Sequence, residues 1–371
     1  MNERRTSAVE LLWDLVFVFS VTQVTALIAH DLTWTGFGHG VLVLALVWWA
    51  WSAFVWAANA EEEQSRTLHA ILLIGMLLVV LAGLALPAAY SGKATLFAVC
   101  YAAVRVLHLG MYAHAAREGN ASWAAISSFA LTVGVGMALM LVGSFLPESW
   151  QVATWTVALL IDYAGPAWLT REQLRGLQQV AIAHFAERYG LFVIICLGES
   201  IVAIGLSADA HRIDTRLVTA VALGLVTTIA LWWTYFDRFA SVAEERLRGH
   251  DDVVLAAADS YSYIHLAIVA GIIVFAVGMK VAIHDVAGEL TDAARLALCG
   301  GLAVYFAGNA LFRLRLVGSV ANAQLAGVLG MLAVYALAAD LSTVAVLALT
   351  TAVAAGVCVL ESLRLSPSPA G

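Results

Sequence analysis

"VELLWDLVFVFSVTQVTALIAH" (Val9–His30) is apolar, uninterrupted by proline or glycine, and long enough to cross bilayer hydrocarbon as a helix. Its peculiarity is Glu10 and Asp14, two carboxylates one helical turn apart. Val18, Val21, Thr22 and Thr25 lie on or near the same face, so the stripe starts acidic and continues through hydroxyls. A helix N-terminus favours anions through its dipole, which is a sufficient structural reason for Glu10 and a weaker one for Asp14, a turn further in.

The rest of the chain repeats this apolar character. Of 371 residues 62% are hydrophobic and 12% charged, and the mean hydropathy is +0.88. A soluble chain carries about 25% charged residues, so this one is an all-α integral membrane protein. Apolar runs of about 20 residues mark spanning helices rather than the alternating strands of a barrel. The net charge of −7 says little for a surface that mostly faces lipid, but the absence of a basic patch argues against nucleic acid as a partner. Cys100, Cys196, Cys299 and Cys358 stand singly inside apolar segments and read as packing residues, neither disulfides nor metal ligands. No cofactor or metal is expected. No cleavable signal is evident, because Glu10 and Asp14 interrupt what would be its apolar core.

Twelve apolar segments are predicted, at 9–30, 38–60, 68–90, 94–115, 122–145, 150–169, 184–206, 215–240, 260–283, 291–312, 321–339 and 341–363. Connections are short, and "SPSPAG" reads as a disordered end. With the N-terminus inside, the cytoplasmic ends hold twelve basic residues: Arg4, Arg5, Arg66, Arg117, Arg171, Arg175, Arg238, Arg246, Arg248, Arg313, Arg315 and Arg364. The opposite ends hold five: Lys93, Arg212, Arg216, Lys280 and Arg295. The bias places both termini in the cytoplasm, in a bacterial inner membrane.

The two halves, 1–175 and 176–371, resemble each other. "WDLVFVFSVTQ" aligns with "YGLFVIICLGE", pairing Gln23 with Glu199. "WWAW" (Trp48–Trp51) matches "WWTY" (Trp232–Tyr235), and Glu61–Glu63 match Glu244–Arg246. His69 and Gly75 match His265 and Gly271, and "AVC" at 98–100 matches "ALC" at 297–299. Four matches in one order indicate a duplication. Six helices is an even number, so the repeats are parallel, an arrangement common in transporters.

Ionisable residues inside a span are functional candidates by default. Besides Glu10 and Asp14 these are His184, Arg188 and Glu199 on the seventh segment. Their spacings of four and eleven residues put all three on one face. Glu199 is the expected ion-coupling carboxylate, and an interhelical hydrogen bond is its plainer role. Arg188 stands near the interface, where snorkelling would suffice. Glu199 is expected to pair with Arg105, His108 or a transported cation, and Arg105, in mid-helix, has Asp162 as an alternative buried partner. His69 and His265 suggest packing or gating, without a second ligand at i+4 for metal. The tryptophans at 48, 49, 51, 56, 232 and 233 read as interhelical packing. Hydrolase, zincin, Walker and dinucleotide motifs are absent, so no enzyme is expected. The expected partners are the lipid bilayer and an unidentified small solute or ion. The composition is also compatible with a homo-oligomer.

"VELLWDLVFVFSVTQ", "WWAWSAFVWAAN" and "HFAERYGLFVIICLGES" together resemble the low temperature requirement protein A family of bacterial membrane proteins, over most of the chain. That resemblance places Glu10, Asp14, Gln23, Asn59, His184, Glu187, Arg188 and Glu199 in signature stretches, with Trp13 where Phe is more usual. The molecular activity it implies is poorly defined. Glu10 to Phe17, E-x-x-x-D-x-V-F, is also similar to the first helix of the endolysosomal potassium channel family, which has six-helix repeats. Of that family's Phe-Ser-Asp core only Asp14 is kept, and Gly190 takes its place in the second half. The readings carried forward are a transporter of unknown substrate, proton-coupled through Glu199, then a cation channel, then a non-transporting sensor or scaffold.

Overall fold

The structure is a computed structural model that describes residues 6–61, 65–175, 177–178, 180–208, 213–237 and 239–364. Arg4, Arg5, Glu62, Glu63, Arg212, Arg238 and the "SPSPAG" tail lie outside these. The described residues are helical throughout and form no strand. The helices are α1 (Ala8–His30), α2 (Trp34–Asn59), α3 (Arg66–Ala85), α4 (Ala94–Arg117), α5 (Trp123–Gly143) and α6 (Glu148–Ala164). They continue with α7 (Ile182–Ala208), α8 (Thr215–Phe236), α9 (His265–His284), α10 (Asp292–Val317), α11 (Asn322–Leu337) and α12 (Thr343–Arg364), with three shorter helices at Arg171–Leu174, Phe239–Arg248 and Val253–Ala257. Among the described residues ten helices are long and apolar enough to cross a membrane. The expected sixth and eleventh segments form shorter helices, α6 of 17 residues and α11 of 16.

Local chemistry sets the helix starts. Ser7 caps α1 in a capping box with Glu10, whose Oε2 accepts the Ser7 N–H at 2.9 Å. Thr33, Ser65, Ser122, Asp214 and Thr291 cap α2, α3, α5, α8 and α10 in the same way, each side chain accepting a first-turn N–H. Gly318 ends α10 in the left-handed conformation, φ 70°, which a Cβ disfavours. Two helices loosen into π turns. Gly165–Leu169 follows α6 at Pro166, which has no N–H to continue the ladder. Ala258–Ile264 runs directly into α9. π turns recur at functional sites because they re-aim side chains.

The chain forms two compact units: residues 1–192 with 247–262, and residues 193–246 with 263–371. In the first, α2 is the central element, with 89% of its apolar window buried, as expected of a helix apolar all round. In the second, α9 and α10 approach backbone to backbone. A Cβ on Gly271 would stand 2.4 Å from the Tyr305 nitrogen, and one on Gly278 2.5 Å from the Leu298 nitrogen. Small residues permit such approach where no hydrophobic effect drives helices together. Gly75, the counterpart of Gly271 in the sequence alignment, has a different role: it admits the Trp13 ring, which a Cβ would meet at 2.7 Å.

Candidate functional site

Two polar pairs, each one helical turn apart, meet in the first unit. Glu10 and Asp14 come from α1, His184 and Arg188 from α7, and none is more than 1% exposed. The Arg188 guanidinium donates side-on to Asp14, Nε to Oδ2 at 2.9 Å and Nη2 to Oδ1 at 2.5 Å. Its Nη1 reaches Glu10 Oε1 at 3.3 Å. His184 Nε2 lies 3.2 Å from Glu10 Oε1 and 3.3 Å from Oε2. Trp51 Nε1 donates to Asp14 Oδ1 at 2.8 Å. Arg188 is therefore a buried ion-pair partner and does not snorkel. Its planar fork suits a carboxylate in a way a lysine does not. Glu10 has a double role, capping α1 through Ser7 and facing Arg188 and His184 from its other oxygen.

The arithmetic of this cluster is uneven. Two carboxylates face one guanidinium, so with His184 neutral the net charge is −1, and with His184 protonated it is zero. The buried His184 Nδ1 has no hydrogen-bond partner among the described residues.

Next to the acids lies a hydroxyl cluster that the sequence reading missed. Ser52 Oγ and Tyr189 OH are 2.7 Å apart, and Ser262 Oγ lies 3.2 Å from the first and 3.3 Å from the second. Trp56 Nε1 donates to Ser262 Oγ at 2.7 Å and Trp48 Nε1 to the Ser262 carbonyl at 2.7 Å. The tryptophans of α2 thus bond as well as pack. Trp48, Ser52 and Trp56 recur every four residues and share one face, and Trp51 adjoins it. That spacing was the available signal. Ser262 was not findable, because it enters through the π turn at 258–264. The same turn presents Asp259 to Arg171, in two bonds of 2.7 and 2.8 Å. A cavity of about 510 Å³, lined by Arg175, Gln178, Ile182, Asp251 and Asp252 among others, opens beside the start of α7.

The other candidates fall elsewhere. Arg105 and Asp162 pair at 2.8 Å between α4 and α6, with Trp49 stacked at 4.0 Å on Tyr163 next to Asp162 in sequence. His108, one turn from Arg105, is buried. Gln23 is half-buried on α1, away from the acid end. Glu199 belongs to the second unit, 3% exposed. His69 and His265 are unlike: His69 is half-buried, while His265 is fully buried with Nε2 3.3 Å from Tyr235 OH. Trp232 and Trp233 are 42% and 45% exposed, unlike the buried Trp48 and Trp51, so packing explains only the first pair. The reason is position: α2 is enclosed, whereas α8 turns this face outward. All four cysteines are free. Among the described residues no group of three or more His, Cys, Asp or Glu is placed to hold a metal ion.

The family model described as "Bacterial low temperature requirement A protein" matches residues 5–359, a range containing every residue of the acid and hydroxyl clusters. An uncharacterized protein of Rhizobium meliloti (strain 1021) is 28% identical over 314 residues, covering 83% of this chain and 77% of that protein. No solved structure matches.

Proposed function

This chain belongs to the bacterial low temperature requirement A protein family, a multi-pass membrane family, and we propose that it is a transporter of a small polar solute or ion. The observation that supports this reading is the fully buried set of Glu10, Asp14, His184 and Arg188 on helices of spanning length. Stability does not account for such a set. Buried ion pairs can often be replaced by apolar residues with no loss, whereas ionisable groups in spans mark ion and substrate pathways. In this reading the cluster is the charge-bearing element. Glu199, in the other unit, is the ion-coupling carboxylate of this reading.

The reading also takes α1–α12 as twelve crossings in two parallel six-helix repeats. Its support is the order of neighbours in each unit. α3, α4, α5 and α6 pair successively, and α2 meets α6. In the second unit α9, α10, α11 and α12 pair successively, and α8 meets α12. Both termini are then cytoplasmic in the inner membrane. Reporter fusions at Arg117 and Gly249 should read cytoplasmic and one at Gly92 external. A cytoplasmic signal at Gly92 removes the topology.

Flux into proteoliposomes tests the function. A panel of small ions and polar metabolites, with and without an inward proton gradient, should reveal saturable uptake. Glu199→Gln should fold normally and lose the dependence on the gradient. Unitary currents would point instead to a channel. A complete absence of flux across the panel would reject transport. Full gradient-dependent activity in Glu199→Gln would reduce Glu199 to a structural hydrogen bond.

A further inference from the structure

We propose that the face of α4 carrying Tyr101, Arg105 and His108 is a buried water-binding site within the first unit. The three residues stand at i, i+4 and i+7, and so share one face of the helix. They are 6%, 2% and 4% exposed.

Each has polar capacity that the protein does not use. Arg105 donates from Nη2 to Asp162 Oδ1 at 2.8 Å. Its Nε and Nη1, the Tyr101 hydroxyl and the His108 Nδ1 are all buried with no hydrogen-bond partner among the described residues. Buried polar groups almost always have a partner, and one isolated exception would mean little. Here four such atoms lie along two turns of one helix. A buried water takes two to four polar partners of this kind, which is what the stripe offers.

Charge selects the occupant. Asp162 already neutralises Arg105, so a bound anion would leave a net charge inside the span. Water provides acceptors for Nε and Nη1 without adding charge. It also matches the chemistry of Tyr101 and His108, whose groups accept as readily as they donate. The surroundings are aromatic and enclose the stripe. Phe54 and Phe129 lie 6.4 and 6.2 Å from His108, Tyr112 lies 5.3 Å from it, and Phe97 lies 6.4 Å from Tyr101. The water is therefore held in a lined site rather than continuous with a surface. Burial and hydrogen bonding alone define this site, independently of any transport.

Radiolytic footprinting of the purified full chain in nanodiscs tests this. Bound water radiolysed in place oxidises the side chains it touches, whatever their exposure. Tyr101 should oxidise several-fold faster than Tyr305, which is 0% exposed and whose hydroxyl donates to the Leu231 carbonyl at 2.6 Å. The double variant Arg105→Met, Asp162→Met should bring Tyr101 down to the rate of Tyr305. If Tyr101 in the unmodified chain oxidises no faster than Tyr305, the site is dry and the proposal fails. That comparison needs no variant to fold, and no flux is measured, so transport can fail while the water site holds, or the reverse.

Discussion

Arg188→Met is expected to destabilise the folded chain by about 3–5 kcal/mol, the cost of leaving buried charge unpaired. Without the guanidinium, Asp14 loses two donors and keeps the Trp51 indole. Glu10 keeps Ser7 and His184. Two carboxylates a turn apart would then stand uncompensated in the span. The measurement is the thermal midpoint and the monodisperse yield in a mild detergent. The triple variant Glu10→Gln, Asp14→Asn, Arg188→Met removes all three charges and should recover most of the lost stability. It should not recover flux. A single variant as stable as the parent would mean that the acids are not charged as paired, and would remove the cluster from the mechanism. A triple variant that transports normally would leave the cluster as scaffolding.

Gly301→Val should be the most damaging change in the second unit, at the upper end of about 1–3 kcal/mol for overpacking. A Cβ at 301 would lie 2.4 Å from the Phe275 nitrogen and 2.8 Å from the Gly271 carbonyl oxygen. Both are backbone atoms of α9, so no rotamer change relieves the contact and the helices must separate. Gly110→Ala, where a Cβ meets nothing within 4 Å, is the control. It should be neutral or stabilising by up to about 1 kcal/mol, since glycine is a poor helix former. Equal midpoints for the two variants would show that α9 and α10 tolerate separation, contrary to the close approach described above.

What the sequence by itself determined is what short-range physics decides. Apolar runs of spanning length can satisfy their backbone in lipid only as helices, so the segments were legible one by one. Their exact starts are set by Ser7, Thr33, Ser65, Ser122 and Thr291, which cap a turn two or three residues away, a local signal that hydropathy alone does not carry. Periodicity put Glu10 with Asp14, and His184 with Arg188, on shared faces, since four residues make one turn. The tertiary structure decided which face meets which. Arg188 finds Asp14 across 174 residues, and no local rule carries that distance. The α2 tryptophans became hydrogen-bond donors because Ser262 arrives through a π turn, an irregularity that apolar spacing does not announce. Gly75 and Gly271, alike in sequence context, part ways for the same reason: one meets an indole ring and the other a neighbouring backbone. Helix formation is settled within a turn by hydrogen bonds along the chain. Pairing is settled by the shape and charge of surfaces brought together from distant segments, and that information exists only once the helices have packed.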